Sequence, residues 1–155
     1  MRSADSIPGD SNLGAELETM PSFLLNHIVH KYHQILQSRL RSTGVSTLQM
    51  RIILTLQSYE RLTVGELCNY AIAEQPTMSR ALDSLESHGL VRREMSEIDS
   101  RLRVISLTEE GQRLSETLRP VFKGINESMM AGLPEEQRVG LTQQLGTMLT
   151  TLSKL

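Results

Sequence analysis

Apolar residues recur along most of this chain at intervals of about three or four residues, the period of an amphipathic helix. The longest stripe ends before Gly44 and consists of aliphatic and tyrosine side chains: Leu24, Ile28, Tyr32, Ile35, Leu36 and Leu40. Pro21 suits an early turn of this helix, and a shorter apolar seam leads into it: Leu13, Leu17 and Met20. The pattern predicts an N-terminal helical region over 13–44 and a polar, disordered tail over 1–12.

Two shorter helices are predicted after Gly44. Ser46 or Thr47 can cap the first, because a short hydroxyl side chain accepts a hydrogen bond from the free backbone N–H groups at a helix start. The inward side of this helix is expected to carry three aliphatic residues: Ile52, Ile53 and Leu56. Thr63 can cap the second helix in the same way, over Val64–Ala71.

The next helix lies between Glu74 and Gly89 and has a distinctive polar face. Pro76 suits its first turn, where a missing N–H costs nothing, and Gly89 suits the left-handed residue beyond its end. Its apolar stripe comprises Met78, Ala81, Leu82 and Leu85. Polar side chains occupy or flank the opposite side: Gln75, Thr77, Ser79, Arg80, Asp83 and Ser84. Small hydroxyls and an arginine on the first turns are typical of a helix that enters a DNA major groove.

Two strand-like segments follow this helix, at 90–94 and 102–107. The second segment alternates between apolar and polar residues and contains β-branched side chains, as a half-buried strand does. The connection between them is mostly polar and holds Asp99 and Arg101. A helix, a glycine and a hairpin with a charged tip together form the outline of a winged helix.

At this point the chain resembles the MarR/SlyA family of bacterial transcriptional regulators. Four motifs carry the resemblance: Pro76-Thr77-Met78-Ser79-Arg80, Leu85-Glu86-Ser87-His88-Gly89-Leu90-Val91, Asp99-Ser100-Arg101 and Leu107-Thr108-Glu109-Glu110-Gly111. The resemblance implies a mainly α fold with a small β-wing, in which a winged helix-turn-helix DNA-binding domain over 45–108 lies between dimerisation helices over 13–44 and 109–155. It also implies a sequence-specific regulator, which we expect to be a repressor, acting as a homodimer on a palindromic double-stranded DNA operator.

The same resemblance places the recognition helix in the major groove and the wing in the minor groove. The candidate DNA contacts are then Gln75, Pro76, Thr77, Ser79, Arg80, Asp83, Ser84, Arg92, Arg93, Asp99 and Arg101. In the family, the aspartate of the wing orients the arginine that reaches into the minor groove, a role that falls here to Asp99 and Arg101. The alternative for Arg101 is an ion pair with Asp99 that only stiffens the wing.

A long helix and a terminal helix are predicted after the wing. Thr108 suits the N-cap of the long helix, and Pro120 is expected to kink it without ending it. Its apolar positions are Leu114, Leu118, Val121, Phe122, Ile125 and Met129. The terminal helix has an apolar seam at Leu141, Leu145, Met148, Leu152 and Leu155. Such an exposed seam favours pairing with a second copy, while the alternative is that the helix folds back over its own core.

Charge distribution bears on both DNA and effector binding. The net charge of −2 argues mildly against a nucleic-acid partner, so DNA binding would depend on a few placed arginines. Residues 21–59 hold four basic residues and no acidic residue, which favours a small anionic or aromatic effector. In the family, effectors bind where the dimerisation helices meet the DNA-binding lobe. The candidate ligand-binding residues there are His27, His30, Lys31, Arg51 and Phe122.

Two other functions stay open at the level of the sequence. A winged helix can serve as a protein–protein interaction module, and the stripe of His27, His30 and His33 could make the protein metal-responsive, because imidazole is a good ligand for transition metals. We see no arrangement of a nucleophile and a base and no phosphate-binding loop, so we expect neither enzymatic activity nor a cofactor. A single cysteine and the lack of a membrane-length apolar run predict a cytoplasmic protein without a membrane association.

Overall fold

The computed structural model of this protein describes residues 11–99 and 101–155. Helices and strands follow one another in this order: α1 (Ser11–Thr19), α2 (Pro21–Leu40), α3 (Thr47–Tyr59), β1 (Arg61–Thr63), α4 (Val64–Ala71), α5 (Gln75–Ser87), β2 (Val91–Met95), β3 (Arg103–Leu107), α6 (Glu109–Met130) and α7 (Glu135–Leu152). A short 3₁₀ turn, Arg41–Thr43, continues α2 and ends at Gly44, which is left-handed. The predicted fold class, mainly α with a small antiparallel sheet, is confirmed.

The short helices of the DNA-binding lobe, by which we mean residues 45–108, begin at the predicted caps. Ser46 caps α3 and Thr63 caps α4, and each forms a reciprocal capping box with the residue three positions later, Gln49 or Glu66. Hydrogen bonds from the backbone N–H and the hydroxyl of Thr63 lower the pKa of the Glu66 carboxyl. The stabilisation from this ionised cap is therefore lost as the pH falls through the lowered pKa of the folded state.

The sheet contains a strand that the sequence pattern does not reveal. The strand order is β1-β3-β2, and both pairings are antiparallel. β1 is only three residues long, too short to show a clear alternation, and its partner β3 lies far along the chain. Its register places Leu62 opposite Ile105, and both side chains are buried. The wing, which we define as the hairpin of β2 and β3, is thus anchored to the lobe by β1.

The hydrophobic core lies within the lobe and is organised around α3. Four residues of α3 are buried there: Met50, Ile52, Ile53 and Leu56. They pack with buried residues of the later elements: Leu62, Leu67, Ala71, Met78, Leu82, Leu85, Val91, Ile105, Leu118 and Ile125. The helix α2 contributes only Leu36 and Leu40 at its C-terminal end. In the rest of its predicted apolar stripe, Tyr32 is half-buried against the core, whereas Leu24 and Ile28 are each 48% exposed and Ile35 is 40% exposed.

The chain ends differ from the expectation in detail. The predicted tail was bounded at residue 12, but α1 begins at Ser11; residues 1–10 of that tail lie outside the described residues. Pro21 stands in the first turn of α2, as predicted. The terminal helix α7 buries none of its residues. The alternative in which this helix folds back over its own core is therefore not what the structure shows.

The first turn of α6 is fixed directly on the turn between α5 and β2. The Thr108 hydroxyl donates to the Gly89 carbonyl at 2.5 Å and accepts from the Gly111 N–H at 3.1 Å. The Thr108 N–H donates to the Leu90 carbonyl at 3.1 Å. A Cβ atom on Gly111 would collide with that same carbonyl of Leu90. Two of the motifs noted in the sequence therefore meet here, and glycine is required at position 111 for the close approach.

We predict that Gly111→Ala destabilises the fold by on the order of 1–3 kcal/mol, because the added methyl group forces the first turn of α6 away from Leu90. Gly65→Ala is the matched control: its Cβ meets nothing within 4 Å in α4, so alanine should be neutral or stabilising. Urea unfolding of both variants measures the difference. Equal stability of Gly111→Ala and the wild type would show that the turn accommodates a side chain.

Candidate nucleic-acid interface

The helices α4 and α5 form a helix-turn-helix whose turn is conformationally strained. Ile72, which follows α4, is left-handed with a φ of 54°, a conformation that is rare for a β-branched residue. Its N–H donates to the Cys68 carbonyl, and the Ala73 N–H reaches the same carbonyl at 3.1 Å. Leu67 and Ala71 of α4 are buried in the same core cluster as Met78 of α5. This turn and this packing fix the direction in which α5, the recognition helix, leaves the lobe.

The first turns of the recognition helix present polar side chains, most of which form no ion pair or side-chain hydrogen bond with the described residues. Gln75, Pro76, Thr77 and Arg80 are exposed, and Ser79 is half-buried. Within the described residues, the Arg80 guanidinium forms no ion pair, and neither Gln75 nor Thr77 forms a side-chain hydrogen bond. An arginine, an amide and a hydroxyl are thus exposed on the first two turns of this helix and available to a partner of the lobe.

Ser84 is a predicted DNA contact whose side chain is hydrogen-bonded within the protein. It is half-buried, and its hydroxyl accepts a hydrogen bond from the Gln49 amide at 3.1 Å. The same Gln49 side chain accepts from the Ser46 N–H in the cap of α3. This hydrogen bond connects the recognition helix to the start of α3, so Ser84 helps to position the helix.

Asp83 and Arg93, both predicted DNA contacts, contact each other. The Arg93 guanidinium lies 2.6 Å from the Asp83 carboxylate and 3.1 Å from that of Glu86. The Arg93 side chain is only 24% exposed, whereas the two carboxylates are more accessible. A guanidinium that is shared between two carboxylates on α5 connects the wing to the recognition helix.

Arg92 lies on the other face of the wing and is also held by neighbours. Its Nε atom is 3.1 Å from the Ser106 hydroxyl and 3.3 Å from the Glu94 carboxylate. Arg61 of β1 in turn reaches Glu94 and Glu97 at 3.6 Å and 3.5 Å. Arg92 keeps more than half of its side chain exposed, 56%, so a contact with a phosphate stays open to it.

The wing tip, residues 96–99 with 101 and 102, is an ordered turn. The Ser96 hydroxyl accepts from the N–H groups of Ile98 and Asp99, and the Ser96 N–H donates to the Leu102 carbonyl at 2.9 Å. The Asp99 carboxylate accepts from the backbone N–H of Arg101 at 2.9 Å. Asp99 thus shapes the backbone that carries Arg101, and among the described residues the Arg101 guanidinium, which is exposed, has no ion-pair partner.

A second site is a groove of about 640 Å³ between α2 and α6. Apolar side chains line most of it: Ile28, Ile35, Val121, Ile125 and Met129. Lys31, Tyr32 and Arg39 add the polar groups. Of the predicted ligand-binding residues only Lys31 lines the groove; His27, His30, Arg51 and Phe122 do not. The sequence pattern assigned Tyr32 to the apolar stripe and did not identify Arg39 as a ligand-binding candidate. The groove forms only where α2 packs beside α6, and the periodicity of a single helix does not reveal such packing.

Arg51 does not line this groove, but its charge acts on Tyr32, which does. Its Nε atom is buried and, within the described part of the chain, has no hydrogen-bond partner. Burial raises the pKa of the Tyr32 hydroxyl, and the positive charge of Arg51 acts in the opposite direction. Arg51 therefore adds positive potential next to a residue of the groove wall.

The histidine stripe of α2 makes local contacts. The His27 ring is 4.4 Å from the ring of Phe23, and the Nε2 atom of His30 is 3.0 Å from the Gln34 amide. The His33 ring lies 5.8 Å from that of Tyr32. Over residues 11–99 and 101–155, no group of three or more histidine, cysteine, aspartate or glutamate residues is arranged to hold a metal ion. Over the same residues, no helix is both long and apolar enough to cross a membrane.

Comparisons with known proteins agree with this geometry. A sequence model of the MarR family matches residues 43–102, which span the helix-turn-helix, the first strand of the wing and the wing tip. A crystal structure of a MarR-family transcriptional regulator from Silicibacter pomeroyi is 32% identical, with a TM-score of 0.79 over 87% of this chain and 91% of that one. The structure of the S. aureus MepR–DNA complex is 25% identical, with a TM-score of 0.78 over 87% of this chain and 98% of that one.

The HTH-type transcriptional regulator YwoH of Bacillus subtilis is 24% identical over 124 residues, which cover 76% of this chain and 90% of YwoH. The similarity therefore extends well beyond the wing into the flanking helices. Together with the helix-turn-helix and the ordered wing, these relationships show that the chain belongs to the MarR family of DNA-binding transcriptional regulators.

Proposed function

We propose that this protein is a transcriptional repressor that binds a palindromic operator as a homodimer, with α5 in the major groove and the wing tip in the minor groove. The observation that carries the proposal is the unpartnered polar surface on the first turns of α5. A recognition helix reads base edges with the side chains of its N-terminal part. Arginine suits guanine, and glutamine suits adenine, because each can form two hydrogen bonds with its base.

The DNA contacts divide into two groups in this proposal. Gln75, Thr77, Ser79 and Arg80 contact bases or phosphates, with Pro76 packed at the start of the helix. On the wing, Arg101 enters the minor groove, where narrow A·T tracts attract arginine, and Asp99 shapes the turn that presents it. Arg92 contacts a phosphate. Asp83, Ser84 and Arg93 are reassigned, because their internal bonds hold α5 against α3 and the wing.

A homodimer explains the exposed apolar surface of the terminal helices. Leu149 and Leu152 of α7 are 68% and 65% exposed, and Leu17 of α1 and Leu24 of α2 are each 48% exposed. Apolar surface of this extent is typical of an interface between proteins. A second copy has the complementary seam, and a two-fold axis would place two recognition helices in successive major grooves, about 34 Å apart. The dimerisation helices in this proposal are those of 13–44 and 109–155.

The groove between α2 and α6 is the proposed effector site. Its apolar walls and the positive charges of Lys31 and Arg39 suit a small aromatic anion, and Arg51 adds positive potential behind Tyr32. Such a ligand regulates DNA binding only if it binds one spacing of the two recognition helices better than another. Because α6 lines the groove and begins at the Gly89–Leu90 turn, a shift of α6 would reach α5 directly.

DNA binding is tested first by selecting duplexes that bind the wild-type protein from a random pool. We predict that Arg101→Ala weakens binding to the selected duplex by on the order of 1–3 kcal/mol and reduces the salt dependence of binding by about one counterion. The melting temperature should not change, because the side chain is exposed at the wing tip. Wild-type affinity of Arg101→Ala would remove the wing from the DNA interface, and failure to select any duplex would contradict the proposed function.

Variants of the carboxylates that pair with Arg93 distinguish a positioning role of Arg93 from direct binding to a phosphate. If the two ion pairs of Arg93 position α5, the double variant Asp83→Asn with Glu86→Gln should weaken binding to the selected duplex in the same way as Arg93→Met, because both changes remove the same two ion pairs. If Arg93 instead binds a phosphate, removing these negative charges should strengthen binding. Fluorescence anisotropy at one fixed salt concentration separates these opposite results.

The dimer is tested on α7. The double variant Leu145→Glu with Leu152→Glu should be monomeric at micromolar concentration, because it places two charges in the apolar seam. Gln143→Glu adds a charge about half a turn away from the seam and is the matched control, which should remain dimeric. Light scattering reports the mass. A monomeric wild-type protein at this concentration, or a double variant that stays dimeric, would exclude this interface.

Effector binding is tested with salicylate as a probe of the groove. We expect salicylate to weaken binding to the selected duplex by about fivefold or more, and Lys31→Ala to remove most of this effect. His30→Ala is the control, because His30 is a neighbour of Lys31 in sequence but does not line the groove. Release of the DNA by neutral or cationic aromatic compounds, but not by salicylate, would overturn the choice of an anion.

A further inference from the structure

The wing tip exposes apolar side chains that its own fold does not require. Ile98 is 99% exposed, and Met95 and Leu102 on either side of it are 68% and 48% exposed. Turn positions normally carry glycine, proline or small polar residues, because these satisfy the backbone without exposing apolar surface to water. A fully exposed isoleucine at the end of a hairpin is therefore a feature that needs a partner.

The backbone of the tip presents Ile98 on a fixed turn. The Ile98 N–H donates to the Ser96 hydroxyl at 3.3 Å, and the Leu102 N–H donates to the Asp99 carbonyl at 2.9 Å. Because these bonds restrain the backbone at and beside Ile98, little backbone conformational entropy is lost when the tip binds a partner. The tip is thus preorganised for contact.

The strand register shows which side of the wing continues into this apolar surface. Met95 pairs with Arg103, and it lies on the same face of the sheet as Arg93 and Ile105. That face is turned towards the lobe, because Ile105 is buried there and Arg93 contacts Asp83 of α5. The apolar surface therefore begins on the side of the wing that faces the recognition helix.

The acidic residues at the tip are paired with neighbouring groups of the sheet and of the tip itself. Glu97 forms an ion pair with Arg61, and the Asp99 carboxylate accepts from the backbone of Arg101. Arg101 has no such ion-pair partner among the described residues. The outward surface of the tip therefore combines one free positive charge with apolar side chains, a combination that matches the phosphates and the sugar edges of a DNA minor groove.

We propose that Ile98 makes an apolar contact inside the minor groove beside Arg101, against deoxyribose and the floor of A·T pairs, with Met95 covering its flank. This rests on the proposed function, since it needs the wing at the DNA. Proteins that bind the minor groove commonly insert aliphatic side chains there. Ile98 thereby selects A·T pairs at positions that no hydrogen bond reads, because the amino group of guanine projects into the groove and removes the space for the side chain.

The test uses the duplex selected with the wild-type protein and compares Ile98→Ser with Ile98→Leu. Ile98→Ser should bind about tenfold more weakly, or about 1.4 kcal/mol, while Ile98→Leu, which keeps the apolar surface, should bind as the wild type does. The salt dependence of Ile98→Ser should equal that of the wild type, since an apolar contact releases no counterions, whereas Arg101→Ala should reduce it.

Base substitutions under the wing locate the contact. Replacing the A·T pairs there by inosine·cytosine pairs, which lack the minor-groove amino group, should leave wild-type binding unchanged, and replacing them by G·C pairs should weaken it. Ile98→Ser should discriminate less between A·T and G·C pairs than the wild type does, and the preference of Arg101 for a narrow groove accounts for what remains. Wild-type affinity of Ile98→Ser, an altered salt dependence or a lowered melting temperature would each overturn the proposal. A wild-type protein that binds no duplex would instead contradict the proposed function.

Discussion

The contact on which the arrangement of this molecule depends is the one between the start of α6 and the turn at Gly89 and Leu90. Thr108 bonds to both carbonyls of that turn, and Gly111 leaves room for the second one. Gly89, with a φ of 70°, ends the recognition helix and turns the chain into the wing. The recognition helix, the wing and the long helix α6 therefore meet within a few backbone groups. A displacement of α6 cannot leave the recognition helix unchanged without breaking these bonds.

Charge in the DNA-binding lobe is used mainly to fix geometry. Arg61, Arg92 and Arg93 are each paired with carboxylates of the sheet, the wing or α5, while the exposed Arg80, Arg101 and Arg103 have no such partner within the described residues. Exposed ion pairs contribute little to stability, so their value here lies in holding the wing at a set angle to α5. This distribution explains how a chain with a net charge of −2 can still offer positive charge on the recognition helix and on the wing.

The sequence predicted the elements that depend on local signals and missed the contacts that depend on distant ones. The caps at Thr63 and Thr108 and the glycine at position 89 need only neighbouring residues, so α4, α5 and α6 begin or end where expected. Helical periodicity showed that Asp83 lies away from the apolar stripe and that Ser84 flanks it. It could not show that Arg93 and Gln49 contact them, because partners on other elements leave no trace in a local pattern.

The groove and the proposed dimer interface share one helix, and this has an energetic consequence. Ile28 and Ile35 of α2 line the groove, and both are substantially exposed, at 48% and 40%. A second copy seated on α2 would cover part of the same apolar surface that a ligand in the groove would contact. Ligand binding and dimerisation must then be thermodynamically linked. If the ligand stabilises the dimer, dimerisation raises the affinity for the ligand by the same factor, and if the ligand destabilises the dimer, dimerisation lowers that affinity. The Gly89–Leu90 contact extends this linkage to the DNA, because the helix that forms the other wall of the groove begins there.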